Sequence, residues 1–349
     1  MSQRHPRGFA SDNNSGAHPE VLAAIAAANE GHVPAYGADD HTAAAEAVFR
    51  EHFGEQAAVF PVFNGTGANV AAIDALTRPH EAVICTDVAH VHVDECGAPE
   101  RVAGTKLLTV SADQGKLAPA DLARWEDHRG DEHQAQPRVV SMTQATELGT
   151  VYTAEETRAI TDAAHELGMY VHLDGARLAN AAASLELPLR ALTTDAAVDA
   201  VSFGGTKNGG LLGDAVVFLR PELADGFHFT RKQLGQLASK MRFLSAQFVA
   251  LLEGDLWLRN ASNANAMASR FAMRISEVEG VRLAHPVEAN GVFATLPRPA
   301  IDRLRDALPS GLPFYVWDES AGTIRLMCSW DTTAEDVDEL AAALAAAVG

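Results

Sequence analysis

The string Ser202-Phe203-Gly204-Gly205-Thr206-Lys207-Asn208-Gly209-Gly210 sets one lysine among four glycines, directly after an apolar run. Glycine permits unusual backbone angles and close approach of a ligand, and a lysine in a partly desolvated cleft is shifted toward its free amine. A free amine attacks carbonyl carbon, so Lys207 is a candidate for Schiff-base chemistry. Taken alone, a loop lysine is more often a solvated surface residue. A Walker-type phosphate loop does not fit, because Gly204 to Lys207 lacks the four-residue spacer and no Ser or Thr follows the lysine.

Three other segments carry groups that such a lysine would need. Val171-His172-Leu173-Asp174-Gly175-Ala176-Arg177 ends an apolar run on an aspartate 33 residues before Lys207. A carboxylate there could keep a pyridinium nitrogen protonated and so make a cofactor ring an electron sink; it could equally cap the next helix. Phe63-Asn64-Gly65-Thr66-Gly67-Ala68-Asn69 precedes an apolar helix expected over Val70 to Leu76. A glycine-rich turn opening a helix offers free N–H groups and a positive dipole end to a phosphate, although a plain strand-to-helix turn has the same pattern. In Thr86-Asp87-Val88-Ala89-His90-Val91-His92-Val93-Asp94-Glu95, an imidazole could lie flat on a cofactor ring or act as a base. His90, His92 and Asp94 also suggest zinc, but no further ligand set has a familiar spacing, so no metal is expected.

The elements that must position these residues alternate along the chain. Helical patterns such as Thr42 to Phe53 are interleaved with short apolar runs at Ala82 to Cys85, Arg138 to Met142, Tyr170 to Leu173, Ala200 to Phe203 and Asp214 to Leu219. Such runs predict an α/β protein with a mainly parallel sheet covered on both faces. Thr153-Ala154-Glu155-Glu156 is a capping-box start for a helix to Leu167, stopped by Gly168, which makes one βαβ step. Asp174 and Gly204 then fall at strand ends, where ligands bind in open α/β sheets. Beyond residue 250 the pattern changes to a helix over Asn260 to Glu279, strands at Gly291 to Thr295 and Thr323 to Met327, and a closing helix Thr333 to Val348. That predicts a small α+β domain. The expected division is an N-terminal segment 1–20 lining the site, a large domain 21–249 and a small domain 250–349, with Arg129 to Pro137 a polar surface loop.

Bulk properties narrow the function classes. The 349 residues are 47% apolar and 21% charged, enough for a large core, and the net charge of -19 disfavours nucleic acid or anionic lipid as partners. Cys85, Cys96 and Cys328 form no disulfide framework, which suits a reducing cytoplasm. No stretch approaches the ~18 apolar residues of a membrane span, and the first residues have no signal-peptide core.

In this order the segments resemble the threonine aldolase family, over essentially the whole chain from Phe9 to Ala347. The resemblance rests on Asp-Gly-Ala-Arg at 174–177, the glycine-flanked Lys207, Asn-Gly-Thr at 64–66 and Ala35-Tyr36-Gly37. Phe-Ala-Ser-Asp-Asn at 9–13, Glu-Cys-Gly-Ala-Pro-Glu at 95–100, Gln-Ala-Thr-Glu at 144–147 and Cys-Ser-Trp-Asp at 328–331 are similar to the bacterial branch of low-specificity L-threonine and phenylserine aldolases. The resemblance implies an aspartate-aminotransferase-like fold (fold type I) and the cofactor pyridoxal 5'-phosphate (PLP). It also implies a homo-oligomer, dimer or tetramer, with active sites at a dimer interface. By the same resemblance Lys207 is the Schiff-base lysine, Asp174 pairs with the ring nitrogen, His90 stacks on the ring, and Gly65 and Thr66 hold the phosphate. Arg177 lies by the cofactor and, with Ser11 and Arg325, grips the substrate carboxylate.

Where relatives often carry a second histidine in a Glu-Asn-Thr-His string, this chain reads Thr143-Gln144-Ala145-Thr146-Glu147, so the base cannot be carried across. His90, or a water it orders, is the expected base. The expected reaction is reversible cleavage of threonine, allo-threonine and other β-hydroxy-α-amino acids to glycine and an aldehyde. The rival readings are phenylserine cleavage, β-elimination or transamination on the same scaffold, or a catalytically silent binding protein on the same fold. A dehydrogenase built on the Gly65 turn is disfavoured by the missing third glycine and ribose-binding acid.

Overall fold

A computed structural model describes residues 7–308 and 314–349. Positions 1–6 of the expected N-terminal segment and 309–313 of the expected small domain lie outside the described residues. Seven strands, β1 (Ala58–Val62), β2 (Glu81–Thr86), β3 (Lys106–Val110), β4 (Gln136–Thr143), β5 (Tyr170–Gly175), β6 (Ala200–Gly204) and β7 (Asp214–Phe218), form one sheet in the order β1-β7-β6-β5-β4-β2-β3. Strands β2 to β6 pair in parallel, while β7 is antiparallel to both β6 and β1. The carboxyl ends of the other six strands and the amino end of β7 therefore meet along one edge of the sheet.

Both faces are covered, which is why the strands read as continuous apolar runs instead of alternating ones. On β4, Val139 and Val140 fall in different buried clusters, and on β7 so do Val216 and Val217. Helices Asp40–Phe53, Ala154–Glu166, Leu178–Leu185 and Arg242–Leu252 supply one face, and helix Gly65–Leu76 packs on the other. The capping box forms as expected: the Thr153 hydroxyl accepts the Glu156 N–H, and the Glu156 carboxylate accepts the Thr153 N–H. Gly168, at a φ of 66°, turns the chain into β5.

A smaller antiparallel sheet follows, from β8 (Arg282–Leu283), β9 (Gly291–Thr295), β10 (Tyr315–Asp318) and β11 (Thr323–Met327), in the order β10-β11-β9-β8. Helices Leu256–Ser276, Arg298–Ala307 and Ala334–Val348 cover it. Phe9 packs against Phe271, and its carbonyl accepts the Met327 N–H, so the N-terminal segment is fastened to this domain. Residue 249 lies inside helix Arg242–Leu252, whose Leu251 and Leu252 belong to the large core.

Several element boundaries differ from expectation, some through tertiary contacts and one through a local cap. The long helix starts at Leu256 instead of Asn260, because Leu256 and Trp257 are drawn into the large core while Ala268, Phe271 and Ile275 enter the small one. It stops at Ser276, shortly before the chain turns through Gly280. The polar loop ends early, since Gln136 and Pro137 begin β4 next to a register shift against β2, where a missing ladder donor is tolerated. The helix expected from Val70 opens at Gly65, because the Asn64 side chain caps it by accepting the Gly67 N–H.

Gly204, where β6 leaves the sheet, lies against the turn after β5. A Cβ there would sit 2.6 Å from the Ala176 carbonyl oxygen and 2.8 Å from its Cα, against backbone held on both sides. Gly204→Ala should lower stability by about 3 kcal/mol, read as a shift in urea midpoint. A loss under ~1 kcal/mol would mean that the two strand ends separate freely.

Candidate active site

The residues singled out from the sequence converge on that one edge of the large sheet. From Gly204 the chain enters a 3-10 turn, Thr206–Asn208, that carries Lys207. Asp214, brought to the same edge because β7 runs backwards, accepts the Gly205 N–H at 2.8 Å and the Thr206 N–H at 3.3 Å. Asn208 donates to the Trp257 carbonyl and receives the Asn260 amide on its own carbonyl. The turn is thus pinned from the sheet and from the long helix. Lys207 itself is half-buried, and desolvation followed by the neighbouring Arg177 charge pulls its ammonium down toward the free amine, against Asp12, Asp174 and Asp214.

Asp174 ends β5 with one oxygen accepting the Asn69 side-chain N–H at 2.8 Å and the other accepting the Ala176 N–H at 3.0 Å. It caps no helix; the next one is Leu178–Leu185, preceded by Arg177. Gly65 and Thr66 lead their helix, so their N–H groups have no acceptor within it. His90 opens a short helical turn, His90–Val93, after β2. Its backbone N–H donates to Glu147 at 2.7 Å, and its ring Nδ1 lies 2.9 Å from Glu95. The zinc grouping of His90, His92 and Asp94 does not assemble: His92 is exposed, and His90 is grouped instead with Glu95 and Asp174.

Arg177 meets Asp12 side-on, Nε to Oδ2 at 2.7 Å and the second nitrogen to Oδ1 at 3.0 Å. Asn290 donates to the same carboxylate at 3.0 Å. Arg325 lies over the Tyr315 and Trp317 rings, at 5.0 and 5.1 Å, and reaches the Ala10 carbonyl at 3.4 Å; its buried Nε has no partner among the described residues. Two of the three groups expected to meet a carboxylate, Arg177 and Arg325, therefore differ in state: one is already paired and the other is largely free. Ser11 caps the short turn Asp12–Asn14 through its hydroxyl.

Two cavities occupy this edge. One, of about 440 Å³, is walled by Ser11, Arg177, Arg325, Glu147 and the aromatic residues Phe293, Tyr315 and Trp317. The other, of about 210 Å³, is walled by Asn64, Gly65, Thr66, Asp174, Ser202, Thr206 and Asp214. They share Asn13, His90 and Lys207, so one amine and one imidazole face both.

Asp12, Asn69, Glu95, Glu147 and Asn290 were not picked out from the sequence. Burial of an acid is invisible in composition, since acids are mostly solvated. Asp12, Glu95 and Glu147 did stand in segments that carried the family resemblance. Burial, and next to it Asp174, push the Glu147 carboxyl up to about 7, against hydrogen bonds from the His90 N–H and Thr143.

Residues 8–298 match the family model described as Beta-eliminating lyase. A low specificity L-threonine aldolase of Pseudomonas aeruginosa is 49% identical over 97% of this chain and 96% of its own length. A second, from another Pseudomonas, is 48% identical over 96% of each chain. The chain belongs to the threonine aldolase branch of the beta-eliminating lyases. A solved threonine aldolase structure from Leishmania major superposes with a TM-score of 0.91 at 32% identity, covering 99% of this chain and 100% of that one.

PLP is the cofactor of this lyase family, and the smaller cavity fits it. It offers a carboxylate for a protonated ring nitrogen, leading helix N–H groups for a phosphate, and an amine shifted toward its free form for an aldehyde. Among the described residues no helix is long and apolar enough to cross a membrane.

The Asp12 pair has a pH signature in this lyase. Burial would raise the Asp12 carboxyl, but the charges of Arg177 and Lys207 and hydrogen bonds from Arg177 and Asn290 outweigh it and hold it below the ordinary carboxylate range. A carboxyl depressed in the folded state adds stability that is complete above its unfolded value and is lost as pH falls through its folded value. Asp12→Asn should therefore cost about 3 kcal/mol at pH 7, and the deficit should shrink below about pH 4. Urea midpoints of both proteins at pH 7 and pH 3 test this; an unchanged gap would overturn it.

Proposed function

We propose that this chain reversibly cleaves β-hydroxy-α-amino acids, L-threonine and L-allo-threonine among them, to glycine and an aldehyde. The observation that carries the reading is Lys207: a half-buried amine shifted toward its free form, in the wall common to a cavity with the groups PLP needs and a cavity lined by two arginines. The two Pseudomonas relatives, named as low specificity L-threonine aldolases, support it over 96% of their lengths.

Lys207 would hold PLP covalently, Asp174 its ring nitrogen, Gly65 and Thr66 its phosphate, and His90 one face of its ring, with Arg177 beside it. Bound there, PLP supplies an electron sink for the pair left on Cα when a substituent departs. Ser11, Arg177 and Arg325 bind the substrate carboxylate and thereby fix which bond at Cα lies in position to break. His90, directly or through a water, accepts the β-hydroxyl proton as the Cα–Cβ bond opens. The hydroxyl-bearing carbon leaves as the aldehyde, and a proton returned to Cα completes glycine.

A bulkier aldehyde, as from phenylserine, is favoured by the aromatic wall of Phe293, Tyr315 and Trp317. A homo-oligomer completing the site at a dimer interface is supported by the exposed Phe63, Leu211 and Leu212, which line an apolar groove beside the cofactor loops. A reducing, cytoplasmic location agrees with three free cysteines.

The purified protein should show a visible absorption band that borohydride bleaches and that Lys207→Ala lacks; no band after adding PLP would sink the proposal. Threonine and allo-threonine should both give glycine with no 2-oxobutanoate or ammonia, which would instead mark β-elimination. His90→Asn should lower turnover on the order of 10²-fold with PLP retained, and a change of only a few-fold would remove His90 as base.

A further inference from the structure

Behind the His90 ring runs a chain of polar contacts whose middle members, Glu95 and Asn69, line neither cavity. Glu95 Oε1 lies 2.9 Å from His90 Nδ1 and accepts the Asn69 amide at 2.8 Å, and the same amide nitrogen donates to Asp174 Oδ2 at 2.8 Å. The imidazole is 34% exposed, whereas the Glu95 side chain is fully buried at 0%. Its second oxygen has no partner among the described residues. A buried carboxylate with an unsatisfied oxygen is a costly group to keep. Both of its contacts lead into the site, one to the proposed base and the other, through one amide, to the carboxylate that faces the cofactor cavity.

An ionised carboxylate only accepts hydrogen bonds, so the nitrogen facing Glu95 must carry the proton. In the neutral ring Nε2 then has a free lone pair, the form a base needs. Resting on the reading of His90 as base, we infer that Glu95 is a positioning residue that fixes the tautomer of His90 and keeps Nε2 available to the β-hydroxyl, and that Asn69 links this setting to Asp174. The Asn69 amide has two hydrogens and stands between two buried carboxylates, each taking one, so it also separates charges that would otherwise repel. The charged groups acting on the ring are Glu95, Asp174 and Lys207, with Glu147 held at the His90 backbone N–H. Among them the Glu95 hydrogen bond is the largest influence, and it outweighs burial to raise the imidazole above its ordinary range.

The test follows the His90 ring C2–H signal of histidine-labelled holoenzyme through a pH titration, assigned by its loss in His90→Asn, beside the kcat/KM profile for threonine. Glu95→Gln keeps the shape and an acceptor but removes the charge. It should lower the His90 midpoint by about one pH unit, move the acidic limb of kcat/KM down with it, and reduce kcat about tenfold while KM stays within about twofold. Asn69→Ser withdraws a donor from Glu95 and should move the midpoint the other way, upward. A midpoint unmoved by Glu95→Gln, or a change confined to KM, overturns the inference. A midpoint that moves while the limb stays put supports the hold of Glu95 on His90 and removes His90 as base. If Glu95→Gln does not fold, Asn69→Ser decides, and an unmoved midpoint there overturns the inference.

Discussion

The paired charges of Asp12 and Arg177 tie together three parts of the chain at the wall of the larger cavity. Asp12 comes from the N-terminal segment, Arg177 from the turn after β5, and Asn290, which donates to the same carboxylate, from the residue before β9. Asp12 is almost wholly buried, and a buried charge that loses its partner is far costlier than one that never had to be buried. The larger cavity therefore has a closed wall only while all three stay in register. The pair also sets the character of the cavity. With two of its nitrogens committed to Asp12, Arg177 has one edge left for a ligand, while Arg325 keeps an unsatisfied buried Nε between two rings. On the proposed reading an entering carboxylate takes most of its new binding energy from Arg325, and Arg177 acts more as a fixed direction than as a free charge.

The reversal of β7 plays the corresponding part for Lys207. Had β7 run parallel, its amino end would lie at the opposite edge and the turn after Gly204 would have no acceptor for its N–H groups. Reversed, it delivers Asp214 to the edge where the other strands end, and one carboxylate oxygen takes both the Gly205 and Thr206 N–H groups. The glycines flanking the lysine are the other half of this arrangement: a Cβ on Gly205 or Gly210 would press on backbone within 3 Å. A tight, fully bonded turn fixes the position of the amine at little entropic expense when a ligand arrives, which is how a flexible four-carbon side chain becomes a placed reagent.

The legible part of this protein is what lies close along the chain. Strands buried on both faces announce themselves as runs such as Ala82 to Cys85. The capping box at Thr153 and Glu156 is a contact of three residues, and the glycines around Lys207 are neighbours of the residue they serve. Lys207, Asp174, His90 and the Gly65 turn could be named because each follows a recognisable strand, and a parallel sheet gathers such ends. The acids and amides that hold them were not legible. Asp12 and Arg177 are 165 positions apart, Asn69 and Asp174 are 105 apart, and Asn290 is 278 from Asp12. No local pattern marks a residue whose partner is that distant. The start of the long helix was misplaced for the same reason, because Leu256 and Trp257 are recruited by a core assembled from earlier strands.

The charge of the whole chain and the charge of the site point in opposite directions, and the proposed substrates make that tolerable. A net charge of -19 repels anions at long range, yet the larger cavity presents Lys207, Arg177 and Arg325. An enzyme that had to attract a small anion would be slowed by such a field. A β-hydroxy-α-amino acid is a zwitterion with no net charge, and the aldehyde it yields is neutral, so the distant field neither speeds nor hinders them. Recognition then falls to contacts inside the cavity, where water is scarce and each ion pair counts for more than at the surface. Glu95, Asp12 and Asp174 keep that interior from becoming strongly positive, and each has a different principal partner: His90, Arg177 or, on the proposed reading, the ring nitrogen. Acids with different principal partners let the base, the carboxylate clamp and the electron sink be tuned largely by separate contacts, while Asn69 and the shared field at Lys207 join them.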